Sequence, residues 1–181
     1  MEGESRPGTT GAGEAVSTLA TRRNLVIVLL DAGVWASWSV LCGYVAHRIP
    51  SSRLALDRGL LRIRGFEAGG RFYERWLRIK RWKDLLPEAG ALFRGGFSKR
   101  RVSAANPVYL ERFAVETRRA ELTHWSILAA SPLFFLWSPW WLGLAMAGYG
   151  VIANVPCLAI QRYNRARLLR MIRRPFAARS A

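Results

Sequence analysis

NLVIVLLDAGVWASWSVLCGYVA, residues 24–46, is the stretch that assigns this chain its solvent. It has the roughly 20 apolar residues needed to cross a bilayer, interrupted by a single charge, Asp31. Its ten Leu, Ile and Val residues contribute together roughly −3 to −6 kcal/mol on an insertion scale, against at most about +3.5 kcal/mol for a central aspartate. Insertion therefore stays favourable. Two further apolar stretches lie near the other end: LTHWSILAASPLFFLWS, residues 122–138, close to the short limit for a span, and PWWLGLAMAGYGVIANVPCLAI, residues 139–160. The SPWW junction between them offers a tight turn with aromatic anchors at interfacial depth. The pattern predicts an all-α membrane protein with about three transmembrane helices, one N-terminal span followed by a C-terminal helical hairpin.

The charges are segregated from these spans. The 181 residues carry 28 Lys+Arg against 12 Asp+Glu, a formal net charge of +16, while 51% of residues are hydrophobic. Net charge alone would suggest nucleic acid or an anionic membrane surface. No DNA-binding or RNA-binding motif accompanies it, so no nucleic-acid partner is expected. The connector from 48 to 123 holds eighteen Lys+Arg and eight acids, and the segment from 161 onward adds seven arginines and no acid. Positive flanks face the cytoplasm. This predicts a multi-pass protein of the inner (cytoplasmic) membrane, with connector and C-terminus cytoplasmic and the N-terminus outside. Residues 1–23 are balanced in charge and rich in Gly, Ser and Thr, and are expected to form a disordered tail. A single domain over 24–168 and a basic tail over 169–181 complete the organisation. TRRNLVIVLL, residues 21–30, is too long in its apolar part for a usual export signal, and no A-x-A-like site precedes His47. Cys42 and Cys157 both lie in apolar spans without paired spacing, which argues for buried thiols rather than a disulfide or zinc site.

Within the connector, RFYERWLRIKRWK, residues 71–83, places Phe72, Trp76, Ile79 and Trp82 at helical spacing among cations. That is the pattern of an amphipathic helix in the headgroup plane, its rings inserted and its charges on lipid phosphate. Trp76, Trp82 and Lys83 would hold it there and pass a lipophilic substrate laterally.

ETRRAELTHW, residues 116–125, is the polar border of the second span. Glu121 and His124 are three apart and share a helical face. Across the hairpin, Asn154, Gln161, Arg162, Asn164 and Arg165 fall at the far end of the third span, with Pro156 expected to kink it. Polar residues gathered at membrane depth suggest a functional site. A histidine near a carboxylate can remove a proton at neutral pH, and arginines can hold phosphates or an oxyanion. This supports His124 as general base, oriented by Glu121, activating a hydroxyl for attack on a thioester. E-x-x-H is also half of a di-iron motif, but the sequence has no second copy, and no metal is expected. The plainer alternative pairs Glu121 with Arg118 or an arginine of the tail and leaves His124 as an amphipathic interfacial ring.

ETRRAELTHW, ANVPCLAIQRYNRARL (153–168) and FEAGGRFYERWLRIKRWK (66–83) together resemble the motifs of the glycosyl-4,4'-diaponeurosporenoate acyltransferase family, small integral membrane acyltransferases of staphyloxanthin-type carotenoid biosynthesis. Phe66, Glu67, Gly70, Phe72, Trp76, Trp82 and Lys83 carry the resemblance in the last block, and the whole spans about 48–168. It implies esterification of a glycosyl carotenoid acid, or a similar glycolipid, with a fatty acyl group from an acyl-CoA or acyl carrier protein thioester, without a cofactor. The partners implied are membrane lipid, a lipophilic glycoside acceptor and the thioester donor, while oligomeric state is unspecified. Glu121, His124, Asn154, Gln161, Arg162, Asn164 and Arg165 fall on recurring motif positions of that family, which supports the expectation that Glu121 and His124 are catalytic and that Arg118, Asn154, Gln161, Arg162, Asn164, Arg165, Trp82 and Lys83 bind substrate. Asp31 and His47 match nothing in the family. The rival reading is a non-enzymatic membrane adaptor whose basic connector binds anionic lipid or a partner enzyme.

Overall fold

The computed structural model describes residues 10–85 and 107–177, and all regular structure among these residues is helical. Helix α1 spans Thr10–Arg48, α2 Arg71–Arg75, α3 Pro107–Ala129 and α4 Trp140–Ala177, with short 3-10 turns between them. Helix α1 starts at Thr10, so the described part of the expected N-terminal tail continues the helix. Its end is set by Ile49-Pro50, since the residue before a proline is pushed out of the α region. Arg119 caps the exposed carbonyls there: its Nη1 donates to Ala46 O, to His47 O at 3.1 Å and to Ile49 O at 2.8 Å.

Two helical segments, Ser17–Arg48 and Trp140–Ile172, are long and apolar enough to cross a membrane. Stretch 122–138 departs from a single helix. Helix α3 ends at Ala129, and Ser131–Leu136 continues as a 3-10 turn because Pro132 lacks the N–H that the α ladder needs. Pro156, by contrast, is accommodated within α4.

Helices α3 and α4 pack antiparallel, with Leu110, Phe113 and Ala114 against Leu168 at one end. Helix α1 runs antiparallel to α3: Arg119 meets its C-terminal end, and Trp38 Nε1 donates to Ser126 O at 3.3 Å. Trp35 and Cys42 of α1, Ile127 of α3 and Phe134 of the 131–136 turn form a core cluster, with Met146 of α4 packed against it. Asp31 lies fully buried and joins α1 to the hairpin tip. Its carboxylate accepts from Trp137 Nε1 at 2.7 Å and from Ser138 Oγ at 3.0 Å. The apolar residues left outward, such as Leu25, Val26, Leu29, Trp140 and Ile152, match a lipid-facing surface.

The connector does not form one helix over 71–83. Helix α2 is one short turn, and Arg78, at φ 47°, breaks the path before the 3-10 turns Ile79–Arg81 and Lys83–Leu85. A left-handed residue rotates the following side chains off the preceding helical face. Ile79 is thereby fully buried with Tyr73, Ala159 and Tyr163, while Trp76 remains largely exposed. The connector thus folds onto α4 as well as offering rings outward.

Candidate active site

The carboxylates and guanidinia of the connector, α3 and α4 alternate in one buried chain. Arg118 Nε lies 2.5 Å from Asp57 Oδ1, and Arg165 Nε lies 3.3 Å from that same oxygen. Arg165 Nη2 lies 2.5 Å from Glu121 Oε2, and Arg162 Nη1 lies 2.6 Å from Glu121 Oε1. Arg162 then grips Glu67 in a fork, Nη2 to Oε1 at 2.6 Å and Nε to Oε2 at 3.2 Å. Tyr73 closes the chain by donating its hydroxyl to Glu67 Oε2 at 2.6 Å. Asp57, Glu67 and Glu121 therefore balance Arg118, Arg162 and Arg165. Burial of unpaired charges costs several kcal/mol each, so this neutrality is what lets such residues sit inside.

Arg162 is saturated in this arrangement. Besides its carboxylate contacts, Nη1 donates to Leu60 O at 3.1 Å and Nη2 to Arg62 O at 2.9 Å, which occupies all five donors. Arg165 is fully buried and donates from Nη2 to Leu61 O at 2.6 Å. Its contact with Glu121 is mainly one of charge, since Glu121 Oε2 lacks an aligned hydrogen bond. Arg118 is buried, with Nη1 on Leu54 O at 3.1 Å. The three arginines expected to meet substrate draw the loop at 54–62 onto the hairpin.

Glu67 is the connector's buried end of the chain. Burial raises its carboxyl, but the Arg162 guanidinium, the Arg64 amide and the Tyr73 hydroxyl outweigh burial and hold it below the usual carboxylate range. The same burial and the Glu67 charge push the Tyr73 phenol up.

His124 stands beside this chain, half-buried on α3. Its Nδ1 lies 2.9 Å from Asn154 Oδ1, while Asn154 Nδ2 donates to Gly150 O at 2.9 Å. The Gly150 carbonyl fixes the amide's orientation, so its oxygen faces the ring and Nδ1 is the donor. In the neutral ring Nε2 is then the basic nitrogen. Sequence reading gave the orienting role to Glu121. The structure places the Asn154 amide at Nδ1 and sets both Glu121 oxygens toward arginines, with Trp125 Nε1 donating to Oε1 at 3.3 Å.

Gln161 and Asn164 are half-buried on α4 in the same region. Trp82 packs at the edge of the Tyr73 cluster and donates to Leu77 O at 2.8 Å, and Lys83 pairs with its neighbour Asp84. Both lie on the connector layer, apart from the residues that hold His124. Asp57 was absent from the sequence-derived site, although an acid among the connector's arginines was its one available signal.

A family profile described as glycosyl-4,4'-diaponeurosporenoate acyltransferase matches residues 57–174. Among curated relatives, proteins of that name from Staphylococcus aureus strains bovine RF122 / ET3-1 and MRSA252 are each 33% identical over 127 residues. The matched region is 70% of this chain and 76% of each relative. The corresponding protein of strain USA300 is 32% identical over the same length. No solved structure matches the chain.

Proposed function

Since this chain belongs to the glycosyl-4,4'-diaponeurosporenoate acyltransferase family and is an acyltransferase, we propose that His124 is the general base of a membrane-embedded acyl transfer from a thioester to a hydroxyl of a lipophilic glycoside. Family membership in an enzyme class removes the adaptor reading. The observation that carries the proposal is the Gly150–Asn154–His124 relay, which holds Nδ1 as donor and so makes Nε2 the basic nitrogen of the neutral ring.

In the proposed reaction Nε2 takes the proton of the acceptor hydroxyl as its oxygen attacks the thioester carbonyl. The C–O bond forms, the tetrahedral intermediate collapses with loss of the C–S bond, and the imidazolium returns the proton to the leaving thiolate. Gln161 lies two turns from Asn154 on the same face of α4 and is assigned to hydrogen-bond the developing oxyanion. Glu121, Arg162 and Arg165 act as positioning residues, because their chain of charges pins α3 to α4 and the connector to both. A glycosylated carotenoid acid or a similar glycolipid is the acceptor, and an acyl-CoA or acyl carrier protein thioester is the donor. The reaction requires no cofactor.

The topology belongs to the same proposal. Helix α1, the arm through α3 and the 131–136 turn, and α4 give three crossings, with the connector against the cytoplasmic headgroups and Trp76 among them. A cluster at that depth meets a membrane-soluble acceptor and a water-soluble donor together.

The test is acyl transfer by the purified protein in vesicles, comparing wild type with His124→Ala. Turnover should vanish while the variant keeps its thermal unfolding profile; sustained turnover would overturn the base assignment. Lipid extracts of producing cells with and without the gene would identify the acceptor by the acylated glycolipid that disappears.

A further inference from the structure

The neutral chain of charges leaves a question about the donor. With the charges of Arg118, Arg162 and Arg165 balanced by carboxylates inside the protein, other cations must receive an anionic co-substrate. The candidates lie further along α4, where Arg167 and Arg170 are exposed and face the turn that precedes α2.

That turn has an unusual backbone. Ala68, Gly69 and Gly70 are consecutively left-handed, at φ 46°, 63° and 98°. At Gly69, a Cβ would lie 3.4–3.6 Å from the Arg170 side chain, from Cδ through the guanidinium carbon. At Gly70 it would lie 3.2 Å from Arg167 Cγ and from the Tyr163 ring. The missing Cβ at Gly70 thus lets Arg167 and the Tyr163 ring approach the backbone closely, while at Gly69, where the positive φ favours glycine, the Arg170 side chain lies at ordinary contact distance. Arg167 is also oriented, with Nη1 3.3 Å from Tyr163 Oη and its guanidinium over that ring at 5.5 Å. Among the described residues Arg170 makes no ion pair. Glu74, which also feels the Arg167 charge, pairs with Lys80 at 3.0 Å and accepts from the Tyr163 hydroxyl at 2.9 Å.

We propose that Arg167 and Arg170, lying over the Gly69–Gly70 turn, form the docking site for the phosphates of a pantetheine-type thioester such as acyl-CoA. The assignment rests on the acyl-transfer reading above. Two physical features favour this occupant over a lipid headgroup. Arg167 is held by the Tyr163 hydroxyl and ring, and the Arg170 side chain lies along Gly69, whereas cations serving lipid extend freely toward it. Their spacing also fits: thirteen to sixteen residues of helix separate Asn154 from Arg167 and Arg170, roughly 20–24 Å along the axis. A pantetheine arm sets phosphate and thioester far apart, so phosphates held here would allow the acyl carbon to reach His124. Pairing with phosphate is a strong, bidentate use of arginine.

The test uses full-length protein in vesicles of phosphatidylcholine, and in vesicles that also contain phosphatidylglycerol, with coenzyme A as probe. Equilibrium dialysis should show binding that weakens with salt, and Arg167→Gln/Arg170→Gln should weaken it about tenfold or more. Arg170→Glu alone should do the same with an unchanged thermal unfolding profile, which guards against misfolding of the double variant. Pantetheine, which lacks phosphate, should bind weakly and equally to wild type and variants. Coenzyme A binding that is indifferent to these substitutions would overturn the site. So would a defect that appears only with phosphatidylglycerol, since lipid would then be the occupant. Turnover of His124→Ala reads the acyl-transfer reading separately, because binding of coenzyme A requires no chemistry.

Discussion

Nδ1 of His124 meets an amide oxygen rather than a carboxylate, so substitutions at Asn154 separate ring orientation from charge. Asn154→Ala removes the group that selects the tautomer, and a misplaced base can cost about a hundredfold in rate. The expected outcome is a fall in kcat of that order with little change in KM, measured in vesicles. Gly150 is the second lever. A Cβ there would lie 2.3 Å from Ser131 Oγ and 3.1 Å from the Trp35 ring, and such overpacking costs about 1–3 kcal/mol. Because Gly150 O anchors Asn154, Gly150→Ala should lower kcat as well as stability. Adding Ser131→Ala removes the nearest clash and should restore part of both; a double variant no better than the single would argue against this steric cause. The i,i+3 spacing of Glu121 and His124, and their meeting with α4, were legible in the sequence. Which partner each residue takes was not, because a one-residue step around a helix turns a side chain through a large angle.

At the scale of elements, two buried carboxylates join segments distant in the chain. Asp31 holds α1 to the hairpin tip through Trp137 and Ser138. Asp31→Leu would leave the Trp137 and Ser138 donors unpaired, at about 1–3 kcal/mol for the buried Ser138, whereas Asp31→Asn keeps an acceptor. Thermal unfolding in detergent should rank wild type above Asp31→Asn and Asp31→Asn above Asp31→Leu. Glu67 does the equivalent for the connector. Its native carboxyl titrates below its ordinary value of 4.5. Its contribution to stability is therefore complete above that value and is lost as pH falls from there through the depressed native one. Glu67→Gln should lower thermal stability at pH 7 by the equivalent of about 3 kcal/mol, the lower end for a broken buried pair. It should also flatten the decline in stability below pH 4.5; an unchanged acid profile would show that Glu67 is not the group responsible. The apolar stretches and the 71–83 periodicity were readable from spacing. The break at Arg78 was not, since a non-glycine residue at positive φ carries no sequence signal of its own.

For the whole molecule, the proposed topology separates the hairpin tip from the connector. After Cys42 and Cys157 are replaced by alanine, cysteine at the exposed Trp140 position should react with a membrane-impermeant reagent in intact cells. Cysteine at the exposed Arg75 position should react only after lysis. The opposite pattern would invert the orientation. Family, acyltransferase class and helical character were all accessible from the order of residues, because each depends on motif blocks and on apolar runs set against the bilayer's thickness. The sequence by itself also determined that cations far outnumber acids in the segments between and after the apolar stretches. Only the tertiary structure decided which of them are neutralised inside. Asp57, Glu67 and Glu121 come from three segments far apart in the chain, and the Coulomb energy that lets buried charges pair falls off within a few ångströms. That proximity is created by packing the connector onto the hairpin, and no linear pattern specifies it.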